Sequence, residues 1–393
     1  MFKSYLLSEL TKDKNNNCNL LRVIAALFVI ISHSILFLSQ SANFSHSNVN
    51  ILYKLGFIGV NIFFILSGYL VSNSLINSQN LITYLANRFL RMWPGLVVNS
   101  LIIVFIIDIT YNGFTNSFLF ESSLNYLYSV LLLINPSYHG IPGVFNQHIY
   151  PEINGALWTI SYECIMYCIL AIMAILGILT PSKSAKVFCI GYLLFNVLVL
   201  NIYKYHLPNT VYEFLRFTIL FNIGICFQLF QNKIKINSLV FMIAFAITCY
   251  LFSTGATSSV LFDISLGYSI FWLGFVPKWL LFYNKFGDYS YGLYIYGWPI
   301  GQALSSFIHT PFWLAVCTML LSFCFAIVSW KLVESPALSL KNKVREISYI
   351  PVSQFKLHQR FIWVIVMLLL IIIFITPVLN APEWHTLRYT PVY

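Results

Sequence analysis

Long apolar runs separated by short polar stretches recur along almost the whole chain. A helix needs about 20 apolar residues to cross a bilayer core. Runs of that kind predict spans at 19–38, 56–76, 92–110, 158–180, 187–203, 212–230, 238–253, 259–281, 290–308, 312–333 and 361–379. The apolar stretch 123–135 is short and flanked by polar residues, so it reads as re-entrant or interfacial rather than spanning. The pattern therefore predicts an all-α polytopic membrane protein, a bundle of ten core transmembrane helices plus an eleventh C-terminal helix. Residues 1–340 form the bundle; 341–393 hold a linker, the eleventh helix and a short external tail, 380–393, with no room for an appended domain.

Composition agrees. The 393 residues are 59% hydrophobic and 9% charged, with a mean hydropathy of +0.78. Soluble domains carry about 25% charged residues, so a soluble class is excluded. The net charge of +10 fits cytoplasmic lysine and arginine, and also suits phosphorylated ligands. The basic residues are dispersed at segment ends, and no nucleic-acid motif is present. The cysteines show no metal-type spacing with histidine, so no metal is expected. Cys164 and Cys168, one helical turn apart, read as small buried hydrophobes. The first apolar run has no small-residue cleavage site, so it is a retained helix and not a signal peptide.

Charge orients the spans. Arg88 and Arg91, Lys183 and Lys186, Lys233 and Lys235, Lys278 and Lys285, and Lys341, Lys343 and Arg345 fall in or beside alternate loops. Loops 39–55 and 254–258 are nearly free of basic residues. The positive-inside rule then places the N-terminus in the cytoplasm and the tail outside.

Ionisable residues inside apolar runs are costly, and they tend to face a protein interior or a wet cavity. The first span carries Arg22 and His33. Eleven helical steps of about 100° return to nearly the same azimuth, so both lie on one stripe, roughly 16 Å apart. Counting residues from the outer span ends puts His33, Asn61 and Glu163 each roughly 7 Å below the outer boundary. A histidine oriented by a carboxylate is a general base; the alternative is a polar network that ties helices together. A second layer lies on the cytoplasmic side: Arg22, with Arg88 and Arg91 three residues apart on one helical face. Guanidinium groups bind phosphates directionally, and arginines there also serve as snorkelling anchors. Glu334 suits an ion pair with a basic residue. The loop 111–157, with His139, Pro142, His148, Pro151 and Glu152, either caps a cleft or merely connects.

Six stretches in order resemble the membrane-bound acyltransferase family 3. Arg22 and His33 match its arginine–ten residues–histidine signature. GFIGVNIFFILSGYLV at 56–71 resembles its glycine-rich, double-phenylalanine motif, and Arg88 and Arg91, before Trp93 and Pro94, match its paired arginines. GALWTISYECIMY at 155–167, GDYSYGLYIYGWP at 287–299 and VESP at 333–336 resemble the remaining motifs. The resemblance runs from about Asn19 to Glu334, so 1–340 is the acyltransferase domain. Two positions depart: Asn61 stands where an acidic residue is usual, and Gly297 where a histidine is common. His33 is thus the main base candidate.

The resemblance implies an enzyme of a bacterial cytoplasmic (inner) membrane that acylates lipopolysaccharide O-antigen, exopolysaccharide or a related lipid-linked glycan. It would transfer an acyl group, most often acetyl, from cytoplasmic acyl-CoA to a glycan hydroxyl outside. Acetyl-CoA is the donor substrate, and no bound cofactor is implied. Arg88, Arg91 and Arg22 would hold the donor's phosphates, and His33, oriented by Glu163, would take the hydroxyl proton. Trp158, Tyr162, Tyr294 and Trp298 either stack on sugar rings or pack the bundle. Partners would be acyl-CoA, the glycan and membrane lipids. The competing reading is a transporter or flippase for a polar or lipid-linked substrate, but the inverted repeats with broken helices that favour one are not found. An inactive relative acting as an assembly partner is a third class, which His33 argues against.

Overall fold

Each predicted apolar run is a helix in the computed structural model, which describes residues 3–13, 15–39, 52–78, 80–111, 113–133, 140–148, 150–179, 183–203, 206–347 and 352–379. His139, most of loop 39–55 and the tail 380–393 lie outside these residues. In chain order the main elements are β1 (Ser4–Leu6), α1 (Cys18–Phe37), α2 (Leu55–Ser78), α3 (Leu81–Thr110), α4 (Ser117–Leu131) and α5 (Trp158–Ile175). Then come α6 (Lys183–Tyr203), α7 (Asn209–Leu229), β2 (Lys235–Asn237), α8 (Ser238–Ser253), α9 (Val260–Phe275), α10 (Ser290–Ser305), α11 (Pro311–Ser329) and α12 (Leu357–Leu379). Among the described residues eight helices are long and apolar enough to cross a membrane, or nine if a bent pair counts as one span. The protein is an all-α, polytopic membrane protein.

The N-terminus ties one end of the bundle together. β1 pairs antiparallel with β2. Asn17, just before α1, donates through its side-chain amide to the carbonyls of Leu273 and Pro277, and through its backbone to that of Gly274. Those carbonyls are orphaned because α9 stops at Phe275, short of the predicted 281. Pro277 cannot donate the next helical hydrogen bond, and the chain bends by 72° into a 3₁₀ segment, Lys278–Lys285. Lys278 meets Asp13 at 3.5 Å, Arg22 meets Asp288, and the Lys186 ammonium lies over the Phe230 ring. This is the basic end of the bundle; the C-termini of α1 and α10 mark the far end.

The core helices cross closely. A Cβ at Gly68 of α2 would lie 2.0 Å from the Phe221 carbonyl oxygen, and one at Gly224 of α7 would lie 2.2 Å from that of Ile65. With little hydrophobic drive between helices in lipid, such backbone proximity supplies the packing.

Three local features position the site. First, α3 begins at Leu81, not at the predicted 92, and runs 30 residues with Pro94 inside it. At 1.5 Å per residue it is about 45 Å long, so its first turns, with Arg88 and Arg91, extend toward the basic end. Second, α4 lies along α3, with Ser123 bonded to Asp108 at one end and Trp93 Nε1 donating to the Leu131 carbonyl at the other. The chain is next described at 140–148, back at the far end beside Ser306. Third, residues 150–157 enter the bundle before α5 starts. Asn154 donates to the Asn99 side chain and the Ile295 carbonyl, and Trp298 donates to the Glu152 carbonyl.

Candidate active site

The penetrating segment corrects the depth estimate for Glu163. Counting from position 158 assumed that α5 starts at the outer boundary, but it starts inside the bundle, where the Thr159 and Tyr294 hydroxyls share a hydrogen bond of 2.6 Å. One turn further, Glu163 belongs to the basic half. Its carboxylate accepts from Ser67 at 3.2 Å and from the Tyr167 hydroxyl.

Glu163 lines two joined cavities. The larger, about 1150 Å³, opens among Arg22, Arg88, Arg91, Tyr167, Asp288 and Trp330. The smaller, about 490 Å³, continues toward the bundle centre between Val60, Phe63, Phe64, Thr159 and Tyr294. Arg22, Ser67, Glu163 and Tyr291 line both.

The three arginines predicted as one group do meet in this cavity, but in different electrostatic states. Asp288 Oδ2 pairs with Arg22 at 2.8 Å and with Arg91 at 2.7 Å, while Oδ1 accepts from the Ser290 hydroxyl and amide. Burial would raise the Asp288 pKa, but Arg22, Arg91 and the Ser290 hydrogen bonds outweigh it and hold the carboxyl below its ordinary value. Arg91 also pairs with Glu334 at 3.2 Å. A π-helical turn, Trp330–Glu334, follows α11, and the Glu334 carboxylate also accepts from Ser329. Arg88 has no ion pair among the described residues. Its guanidinium lies 5.7 Å from the Tyr167 ring centroid, and its buried Nε has no hydrogen-bond partner among the described residues. The Oδ1 of neighbouring Asn87 is in the same condition. Two arginines are thus fixed in place by carboxylates, and Arg88 is not.

Asn61 does not join His33 either. Its side-chain oxygen accepts from Arg216 at 2.7 Å, and its amide reaches Asp263 at 3.4 Å. Arg216 pairs with Glu213 at 2.6 Å and is sandwiched by Phe57 and Phe217, each ring 4.4 Å away. This buried network was not singled out from sequence, although the rule that drew attention to Arg22 and His33 applies equally to Glu213, Arg216 and Asp263. Asp288 lay within a recognised motif but was given no role.

His33 is buried, edge-on to Trp298 at 4.8 Å and tilted against Phe37 at 6.4 Å. Glu163 lines the basic-end cavities, where its carboxylate accepts from Ser67 and Tyr167. Trp158 and Tyr162 pack with Phe217, and Tyr162 donates to the Thr210 carbonyl. Of the four aromatics, Tyr294 lines the smaller cavity, while Trp298 is fully buried beside His33. A Cβ at Gly297 would lie 2.8 Å from the Ile30 side chain, so α1 fills the space a larger residue would need.

A pocket of about 430 Å³ opens at the far end between Phe37, Gln147, His148, Tyr150, Gln302 and Ser305. The α1 face thus carries Arg22 in the basic-end cavities, His33 roughly 16 Å further along the axis, and Phe37 in the far pocket about 6 Å beyond.

Comparison with known proteins bears on what this arrangement does. Residues 15–331 match the Acyltransferase domain family. An O-acetyl transferase of Shigella phage Sf6 is 26% identical over 83% of this chain and 99% of its own length. Nodulation protein 10 of Rhizobium leguminosarum bv. viciae is 24% identical over 86% of this chain and 97% of its own. No solved structure matches the chain.

Proposed function

This chain belongs to the acyltransferase family that spans residues 15–331, and from that premise we propose that it moves an acetyl group across the membrane. The donor is acetyl-CoA at the basic end, and the acceptor is a hydroxyl of a surface or lipid-linked glycan at the far end. The observation that carries this reading is the single α1 face that links the arginine-lined cavities, His33 and the far pocket.

In this reading the basic end faces the cytoplasm of a bacterial inner membrane, as the positive-inside rule requires. Arg88 offers unpaired donors to the donor's phosphates. Arg22 and Arg91, held in place by Asp288 and Glu334, shape the cavity wall around it. The pantetheine arm follows the smaller cavity past Glu163 and Thr159 toward the bundle centre. The acceptor oxygen attacks the thioester carbonyl, the new C–O bond forms and the C–S bond breaks. His33 takes the hydroxyl proton, which leaves with the thiolate as free thiol. Trp298 and Phe37 hold the imidazole by its ring faces and edges. Glu163, with Ser67 and Tyr167, belongs to the donor channel.

The test is mass spectrometry of the surface glycans of cells with and without the gene. The expected result is one added acyl group per modified unit, lost in His33→Ala at equal protein level. Identical glycan masses in the two strains would overturn the assignment.

A further inference from the structure

We infer that the far-end pocket is the acceptor subsite, built to hold one hydroxyl-rich sugar ring, with Gln302 as its specificity-determining contact. This inference rests on the acyl-transfer reading above. The pocket holds about 430 Å³ of free space, part of it continuous with open solvent. Its lining combines two aromatics, Phe37 and Tyr150, with the polar side chains of Gln147, His148, Gln302 and Ser305. That is the balance expected for a ligand with apolar ring faces and polar edges.

The second observation is an unmet hydrogen-bonding group. Gln302 is 0% exposed. Its Nε2 donates to the Tyr150 carbonyl, which orients the amide, and its buried Oε1 makes no hydrogen bond of full geometry among the described residues, with the His148 ring as its neighbour. Leaving a buried acceptor unmet costs about 1–3 kcal/mol, and an O–H of a bound sugar would satisfy it. His148 lies beside it, with its Nε2 3.1 Å from the Ser306 hydroxyl. Burial lowers the His148 pKa, and the nearby Gln302 amide opposes that pull. The neutral ring then offers both a donor and an acceptor at neutral pH. Among the described residues that line the pocket none is charged, which suits a neutral sugar rather than a phosphate.

The pocket also sits where an acceptor must arrive. Phe37 lines it and touches both Trp298, at 4.9 Å, and His33. Tyr150 lines it and faces Trp298 at 6.4 Å. A ring seated there lies against the aromatic group that surrounds the proposed base.

The experiment uses full-length protein in lipid nanodiscs. The probe is surface polysaccharide from the cells that carry the gene, stripped of esters with alkali and cut to single repeat units. Binding without donor and transfer with acetyl-CoA are measured for wild type, Gln302→Leu, the exposed-site variant Gln147→Ala and Arg88→Ala. The expected result is at least tenfold weaker glycan binding in Gln302→Leu, severalfold weaker in Gln147→Ala, and unchanged in Arg88→Ala, with donor KM unaffected in the first two. Transfer by wild type with equal glycan affinity in both far-end variants would overturn the subsite and leave the enzyme assignment standing. Glycan binding that these variants weaken, without any consumption of acetyl-CoA, would keep the subsite and overturn the acyl-transfer reading. Absence of both binding and transfer in wild type would overturn both.

Discussion

The indole of Trp298 stands edge-on to the imidazole of His33, with ring centroids 4.8 Å apart and planes inclined by 76°. Trp298 is itself anchored by its Nε1 donating to the Glu152 carbonyl at 3.1 Å. The penetrating segment before α5 therefore anchors the indole against which the proposed base packs. His33→Ala should lower kcat by about 10²–10⁴-fold, the usual contribution of general-base catalysis, with donor KM little changed. Trp298→Phe keeps an aromatic edge but loses the anchor, so a smaller loss in kcat is expected. Steady-state transfer assays read both, and near-wild-type turnover in His33→Ala would place the base elsewhere.

Arg88 and Arg91 should behave differently although they sit three residues apart. Arg88 has no ion pair among the described residues, whereas Arg91 holds Asp288 and Glu334. Arg88→Ala should raise donor KM about tenfold, consistent with one lost charged hydrogen bond of about 1.5–3 kcal/mol, at unchanged Tm. Arg91→Ala should lower Tm as well, because it strips buried carboxylates of their partner. Arg88→Lys should rescue only partly, since an ammonium lacks the planar fork. Equal Tm losses in both alanine variants would contradict this division.

Asp288 gives a pH test. Its folded pKa is lowered, so its contribution is fully present above the unfolded value of about 3.9 and is lost as pH falls through the folded value. Asp288→Asn should therefore destabilise by a constant amount between about pH 8 and pH 5. The gap should close only at more acidic pH, as the wild-type carboxyl takes up its proton. Thermal unfolding in detergent across pH measures this, and a gap that closes near neutrality would mean the carboxyl is not held low.

The buried network at Asn61 should be structural. Arg216→Met leaves Glu213 and Asp263 without their cation, which should cost about 3–5 kcal/mol and reduce accumulation in the membrane. Adding Glu213→Gln should restore part of the loss, because the stranded charge is removed. A fluorescence-detected size-exclusion profile reports both outcomes, and an unaltered profile for Arg216→Met would show that the network is dispensable.

Sidedness is open to direct chemical test. Single cysteines at Asn232, exposed at the basic end, and Thr254, exposed in the turn after α8, can be introduced into a cysteine-free background. An impermeant thiol reagent on intact cells should label the second and spare the first. The reverse pattern would invert the bundle and deny the donor its proposed entry from the cytoplasm.

Some of this was legible in the one-dimensional pattern because its physics is local. Membrane insertion depends on run length and apolarity, so the helical, polytopic class follows from the chain alone. The stripe holding Arg22 and His33 follows from helical periodicity. The paired arginines follow from spacing, and they do line one cavity. What the sequence could not determine was depth and partnership across helices. Glu163 was misplaced because nothing in the order of residues says that 150–157 would enter the bundle before α5 begins. Asn61 found Arg216 and Asp263, more than 150 positions away in sequence, because buried polar groups must satisfy one another wherever the fold brings them. Tertiary structure also separated Arg88 from Arg22 and Arg91. All three obey the same charge rule in sequence, but the turn at 286–289 and the π-helical turn at 330–334 deliver carboxylates to two of them and not to the third among the described residues.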